Sequence, residues 1–375
     1  MNRFYNPVHT VAEAGCFNRL PEILEKMEPD NRRILVLAWS QKALEHVVFS
    51  QLQHAEQPFD MRTVVFEASN PTVEQLFQLY QETKDFSPDV IVAIGGGSVM
   101  DIGKSLCCLY GKELPDEDAL RALIQSKEYG RPAARWIGVP TTAGTGSEVT
   151  CWATIWDPCK DAKRSVEHHG NYAYAALVDS QLTEGMPLSL AVSSALDAAA
   201  HAIESYWAKR TNCVSRALAL QAVRLIMGHL EGLLSGASEA RDAMAQGSML
   251  AGLAFSNTKT TACHSISYPL TMHFHIPHGA AVSMLLAPVL QMNASFVEGM
   301  PELLNALGVT NAGLLKERIS SFLLRSGQPA ALRDWGVKQE DLPHLAELGL
   351  TKGRADNNPA EITPETIKTI LESIY

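Results

Sequence analysis

Residues Asp89 to Ile94 read Asp-Val-Ile-Val-Ala-Ile and pass without a break into Gly95-Gly96-Gly97-Ser98. A short, wholly apolar run is what a strand buried on both faces looks like. Three glycines let the chain turn sharply and let its backbone approach a ligand closely. The helical stretch that follows, about Val99 to Leu109, would aim its free N–H groups and the positive end of its dipole back at the turn, where a phosphate is stabilised. The glycines lack the GxGxxG spacing, so the usual dinucleotide argument does not apply. A plain strand-to-helix turn is the alternative.

The same alternation recurs. Arg33 to Ala38 and Arg62 to Glu67 read as strands, each followed by a helical stretch, roughly Gln41 to His54 and Val73 to Thr83. Trp136 to Pro140 is a further apolar strand. It runs into Pro140-Thr-Thr-Ala-Gly-Thr-Gly-Ser-Glu-Val-Thr150, a loop of small hydroxyl residues between glycines that could wrap a ribose or phosphate, or be merely polar. Strands alternating with helices imply a doubly wound parallel sheet. From Leu188 onward helical periodicity takes over, as at Arg216 to Leu233 and Ala237 to Ala254. Thr363 to Ile374 is expected to be a capped final helix.

Composition narrows the function classes. A formal net charge of -10, with no basic run, argues against a nucleic-acid partner. No apolar segment near 18 residues is apparent, so no membrane span is expected. The opening Met-Asn-Arg-Phe-Tyr-Asn-Pro-Val has no apolar signal core. The seven cysteines are scattered, which fits reduced thiols in a cytoplasm.

The stretch Ala191 to His278 holds the densest metal chemistry. Asp197 and His201 are four residues apart and share one face of a helix. His264 and His278 lie at its far end. One carboxylate and three imidazoles suit a borderline divalent ion: iron(II), zinc(II), cobalt(II) or nickel(II). By spacing alone, a helix-face ion pair with core histidines is equally open.

Taken together these motifs resemble the iron-containing (group III) alcohol dehydrogenase family. The residues that carry the resemblance are Gly95 to Lys104, Pro140 to Thr150, Leu177-Val178-Asp179 with Leu182-Thr183, Asp197-Ala-Ala-Ala-His-Ala-Ile-Glu204, His264, and His278-Gly279. The resemblance implies an α/β N-terminal doubly wound parallel-sheet domain, residues 1–187, and an all-α C-terminal metal-binding domain, residues 188–375. It implies Asp197, His201, His264 and His278 as ligands of a divalent metal, iron(II) first and zinc(II) second. It implies Gly95, Gly96, Gly97, Ser98 and Asp101 at the pyrophosphate of NAD or NADP. Asn70, Thr141, Thr142, Thr150 and Lys163 are further cofactor contacts on the same ground. A homodimer or higher homo-oligomer is the expected assembly.

Three departures from the family pattern are informative. Many members carry a histidine four residues after the third ligand, where this chain has Tyr268; His273 or His275 could substitute for it. The glycine-rich segment before the third ligand is here Asn257-Thr258-Lys259-Thr260-Thr261-Ala262-Cys263. A lysine and three threonines there suit an anionic substrate. The acid expected near Ala38-Trp39-Ser40-Gln41 is missing, which permits NADP(H) without excluding NAD(H).

The expected activity is therefore metal-dependent interconversion of an aldehyde and a primary alcohol. Lys259 would bind an anionic group, and Tyr268 or His275 would supply the proton. Similarity to the phosphonoacetaldehyde-reducing subgroup names 2-hydroxyethylphosphonate as product and phosphonate metabolism as setting. A dehydroquinate-synthase-like lyase, a general short-chain alcohol dehydrogenase and a non-catalytic scaffold are the alternatives.

Overall fold

A computed structural model describes residues 3–27, 32–54, 58–160 and 162–375. The chain divides into two units. One comprises Asn6–Thr142 and Ser147–Leu182, the other Ala143–Gly146 and Thr183–Tyr375 with the N-terminal residues up to Tyr5.

The first unit is built on strands β1 (His9–Val11), β2 (Arg33–Ala38), β3 (Asp60–Val65), β4 (Val90–Gly95), β5 (Arg135–Pro140), β6 (Trp152–Asp157), β7 (Ala162–Glu167) and β8 (Ala175–Leu177). Six of them form one parallel sheet in the order β1-β8-β5-β4-β2-β3. Its helices are α1 (Leu20–Met27), α2 (Val47–Gln53), α3 (Val73–Thr83), α4 (Gly97–Leu109) and α5 (Glu117–Ser126). The apolar runs are continuous because both faces of the sheet are covered. Leu35, Leu37, Ile91 and Ala93 pack with Leu76, Ile102, Leu106 and Leu120. Their neighbours Ile34, Val36, Val90 and Val92 pack with Leu20, Leu24, Val48 and Phe49. Side chains that alternate along a strand thus enter two separate cores.

Some sequence expectations shift here. The stretch Gln41 to His54 is not one helix. A 3-10 turn, Gln41–Glu45, gives way at an extended His46, whose ring nitrogen accepts from the Val48 N–H and starts α2 afresh. The strand expected at Arg62 to Glu67 is Asp60–Val65, the register that pairs Arg33 with Asp60 and Ala38 with Val65. The antiparallel ribbon β6–β7 was not expected. It places Lys163 opposite Trp156, and the Lys163 ammonium lies 5.5 Å from that ring's centroid.

The second unit is helical: α6 (Leu188–Trp207), α7 (Cys213–Leu234), α8 (Ser238–Thr258), α9 (Ala262–Phe274), α10 (His278–Asn293), α11 (Met300–Leu307), α12 (Ala312–Arg325), α13 (Leu342–Leu348) and α14 (Pro364–Ser373). Alanines 198, 199, 200 and 202 line α6 and are fully buried, so its neighbours pack close to its backbone. Among the described residues one helix, α7, is long and apolar enough to cross a membrane by length and composition alone, a test that a core helix also meets. It is amphipathic: Ala219, Val223, Ile226 and Leu230 enter the core, while Arg224, His229 and Glu231 are exposed.

Candidate functional site

A carboxylate inside an alanine-lined helix is costly unless something compensates it. Asp197 is such a group, 5% exposed. His201, one turn on, approaches its Oδ2 at 4.0 Å through Nδ1. His264 stands in the first turn of α9, with Nε2 3.4 Å from Asp197 Oδ1. His278 opens α10, with Nε2 3.9 Å from the same oxygen. Gly279 makes that last approach possible. A Cβ there would fall 2.0 Å from the Ser193 carbonyl oxygen of α6.

Donor atoms of Asp197, His201 and His264 converge within 4.8 Å, and His278 flanks them with its side chain 31% exposed. Asp197 Oδ1 and His264 Nε2 are buried and have no hydrogen-bond partner among the described residues. Buried orphan acceptors facing each other are what a cation would satisfy, so a divalent metal fits this donor set.

The protonation states of Asp197 and His201 agree with that fit, whereas His264 would have to give up the proton that its two carboxylate neighbours favour. Burial opposes charge on Asp197, yet the surrounding histidines hold its carboxyl well below the ordinary range. Burial pushes the His201 imidazole down to about 4 despite the Asp197 charge, which leaves it neutral at pH 7. With Nδ1–H of His201 donating to the Gly144 carbonyl at 3.3 Å, its Nε2 keeps a lone pair. For His264 burial favours the neutral form, but Glu204 and then Asp197 outweigh it and raise its pKa.

Glu204 is the residue that sequence reading missed. It is fully buried on α6, two turns beyond Asp197, and Nδ1 of His264 bonds to its Oε2. Its Oε1 accepts from the Thr261 hydroxyl and the Cys263 N–H, both at 2.7 Å. A carboxylate behind a ligating imidazole fixes the tautomer and the ring. The available signal was a second acid seven residues after Asp197, on the same face of an otherwise apolar, alanine-rich helix.

The threonines before His264 are used by the fold. Thr258 Oγ1 donates 2.9 Å to the Lys259 carbonyl and lies 3.1 Å from Ser205 Oγ. Thr261 takes a bond from Trp207 Nε1 at 2.8 Å as well as serving Glu204. Thr260 Oγ1 accepts from Arg354 at 2.5 Å. The expectation that these hydroxyls serve a substrate is thus corrected, because a buried hydroxyl bonds what folding places beside it. Lys259 itself is half-buried at the end of α8 with φ 61° and ψ 177°, a conformation that glycine adopts freely and lysine does not.

Tyr268 lies on α9 with its ring stacked 5.9 Å from the His278 ring. Burial raises its pKa against the pull of Arg354. His275 ends α9 in a left-handed conformation, φ 54°, and is exposed, as is His273.

In the α/β unit the sheet order reverses between β2 and β4, and ligands of open α/β sheets sit beyond the carboxyl ends of strands at such a point. The glycine turn stands there. Gly96 caps α4 without any side-chain hydrogen bond, so the first N–H groups of a thirteen-residue helix are left for a ligand. Ser98 Oγ accepts from the Asn70 N–H at 3.1 Å, and the Thr141 N–H donates to the Gly95 carbonyl at 3.1 Å. Thr142 borders Gly96, where a Cβ would lie 3.3 Å from its Oγ1. Asn70, Gly95 to Ser98, Thr141 and Thr142 therefore gather around one helix end.

Asp101 and Thr150 are engaged elsewhere. Asp101 accepts from Ser147 Oγ at 2.8 Å and from the Thr154 N–H at 2.9 Å. Lys104, fully buried, donates to Ser147, Thr150 and the Trp152 carbonyl. These groups tie the hydroxyl-rich loop to α4, so the side chains of Asp101, expected at the pyrophosphate, and Thr150, expected at the cofactor, are both bonded within the fold.

Comparisons with known proteins agree with this architecture. Residues 7–180 match the family described as Iron-containing alcohol dehydrogenase. Residues 191–375 match the Fe-containing alcohol dehydrogenase family, C-terminal. Lactaldehyde reductase of Escherichia coli (strain K12) is 31% identical over 82% of this chain and 82% of its own length. Sulfoacetaldehyde reductase of Bilophila wadsworthia (strain 3_1_6) is 29% identical over 81% of each. Among solved structures, sulfoacetaldehyde reductase from Bifidobacterium kashiwanohense in complex with NAD+ is similar at TM-score 0.86 and 25% identity, covering 100% of this chain and 98% of that one.

Proposed function

Since the chain belongs to the iron-containing alcohol dehydrogenase family, we propose that it reduces a short anionic aldehyde to a primary alcohol, with phosphonoacetaldehyde and 2-hydroxyethylphosphonate as the substrate pair. It is an NAD(P)-dependent oxidoreductase of aldehydes and alcohols. In this reading Asp197, His201, His264 and His278 hold a divalent metal, iron(II) before zinc(II). Gly95, Gly96, Gly97 and Ser98, with Asn70, Thr141 and Thr142, receive the cofactor pyrophosphate. When bound, the metal supplies Lewis acidity and the nicotinamide a hydride equivalent.

The chain's own residues do the rest. Glu204 holds the His264 ring and tautomer. Tyr268, stacked on His278, or His275 at the exposed end of α9, passes a proton to the product oxygen. Neither NADH nor NADPH is excluded, because Trp39-Ser40-Gln41 after β2 carries no acid. A reducing cytoplasm fits the seven free cysteines.

One observation carries the anionic substrate. Lys259 occupies a glycine conformation five residues before His264. Holding a lysine there costs about 1–3 kcal/mol of backbone strain. What the position gains over glycine is a cationic side chain on the segment that leads into His264. Relatives named for sulfoacetaldehyde, itself an anionic aldehyde, support the same class.

The test is an assay of iron- and zinc-loaded protein with NADH and NADPH against phosphonoacetaldehyde, sulfoacetaldehyde and glycolaldehyde. A higher kcat/KM for the anions is expected. Equal or better turnover of glycolaldehyde would replace this reading with a neutral short-chain aldehyde, the reading that likeness to lactaldehyde reductase favours.

A further inference from the structure

Arg354 lies in the turn before a short 3-10 segment, Ala355–Asn357. That turn grips the strained segment around Lys259. Asn357 Nδ2 donates to the carbonyls of Thr258, at 2.9 Å, and Thr260, at 3.1 Å. Arg354 Nη1 donates to Thr260 Oγ1 at 2.5 Å, and its guanidinium carbon stands 5.6 Å from the Tyr268 ring centroid. The Tyr268 ring in turn lies parallel to that of His278, within 11°. The guanidinium is therefore two ring contacts away from the carboxylate–imidazole cluster, and it borders the same threonine that follows Lys259.

Its own bonding is incomplete. A guanidinium carries five N–H donors and a permanent charge. Among the described residues Arg354 gives a side-chain hydrogen bond to one neutral hydroxyl, and no carboxylate pairs with it. A half-buried cation that lacks a counter-ion is placed to receive one, and a planar fork suits an anion that offers two oxygens. The anchoring of its turn by Asn357 orders the fork before any ligand arrives, so little entropy is lost on binding.

We infer that Arg354 is the specificity-determining residue that binds the phosphonate or sulfonate of the substrate, with Lys259 as a second cation. This rests on the anionic-aldehyde reading. It adds the recognising group, and it names oxyanions with several terminal oxygens as the substrate class.

Metal-loaded Arg354→Gln and Arg354→Lys are compared with the unaltered chain on phosphonoacetaldehyde and glycolaldehyde, with metal content and melting midpoint measured alongside. Arg354→Gln should raise KM for phosphonoacetaldehyde about 30-fold or more, with a smaller change in kcat. Glycolaldehyde should lose much less, and in kcat rather than KM: it never meets the guanidinium and feels the change only through Tyr268, whose pKa Arg354 helps to hold down, so the ratio of the two substrates' losses is the readout. Arg354→Lys should recover part of the loss, since it keeps the charge but not the fork. Calorimetric titration with 2-hydroxyethylphosphonate should show the same order of affinities without turnover. Equal losses for both aldehydes, or lost metal, would make Arg354 a support for the Thr258–Thr261 segment and overturn the assignment. An unaltered chain that prefers phosphonoacetaldehyde, with variants that keep the preference, overturns Arg354 alone. An unaltered chain with no preference overturns the anionic reading and this inference together.

Discussion

Glu204 and His264 are joined through Nδ1 of the imidazole, and this pairing turns Nε2 toward Asp197. Because the same carboxylate also takes the N–H of Cys263 and the hydroxyl of Thr261, it sets the start of α9 as well as the ring. Glu204→Gln should therefore weaken metal binding about 10- to 100-fold while leaving a folded chain. Chelator competition followed by elemental analysis measures it. Unchanged affinity would mean that the ring is held by packing alone.

Lys259→Gly separates strain from function. Glycine relieves the φ 61° conformation, so stability should hold or rise by about 1 kcal/mol after allowing for glycine's chain entropy. Loss of the ammonium should lower kcat/KM for an anionic aldehyde on the order of 30- to 1000-fold and spare a neutral one. Denaturant melts and paired kinetics give both numbers. Equal kinetic losses would place Lys259 in the service of the fold or the cofactor.

Gly97→Val puts a branched side chain at the first position of α4, where backbone N–H groups are left without a cap. NAD(P)H affinity should drop about 10-fold or more, because a pyrophosphate must come close to that backbone. Fluorescence titration reads it directly. An unchanged dissociation constant would reduce the glycine turn to a strand-to-helix connection.

Glu148 supplies a pH signature in the α/β unit. Burial pushes its carboxyl up to about 7, against the pull of Lys104. A carboxyl whose folded pKa is raised contributes its stability at low pH and loses it as pH rises from about 4.5 through 7. Glu148→Gln should thus stabilise the chain at pH 8, on the order of 1–3 kcal/mol, and change little at pH 4. Melts at the two pH values test it; a gain of equal size at both would exclude titration as the cause.

Much of this protein is determined by residues close together in sequence. The apolar runs at Ile34 to Ala38 and Val90 to Ile94 read as strands covered on both faces, and the glycines after Ile94 as a tight turn, as the structure has them. Asp197 and His201 share a helix face because four residues make about one turn. Thr72 and Thr363 cap their helices through bonds to residues three places on. Periodicity and capping act over a few residues, so they are legible without a structure. What tertiary structure alone decided lies between elements. The pairing of Glu204 with His264 spans 60 positions, and no local rule relates them. The absorption of Asp101 and Thr150 into a network with Lys104 and Ser147 depends on α4 meeting the hydroxyl-rich loop. Arg354 reaches Thr260 across 94 positions. Whether a polar side chain is spent on the fold or left for a ligand depends on which partners packing brings within hydrogen-bond distance, and packing is a property of the whole chain.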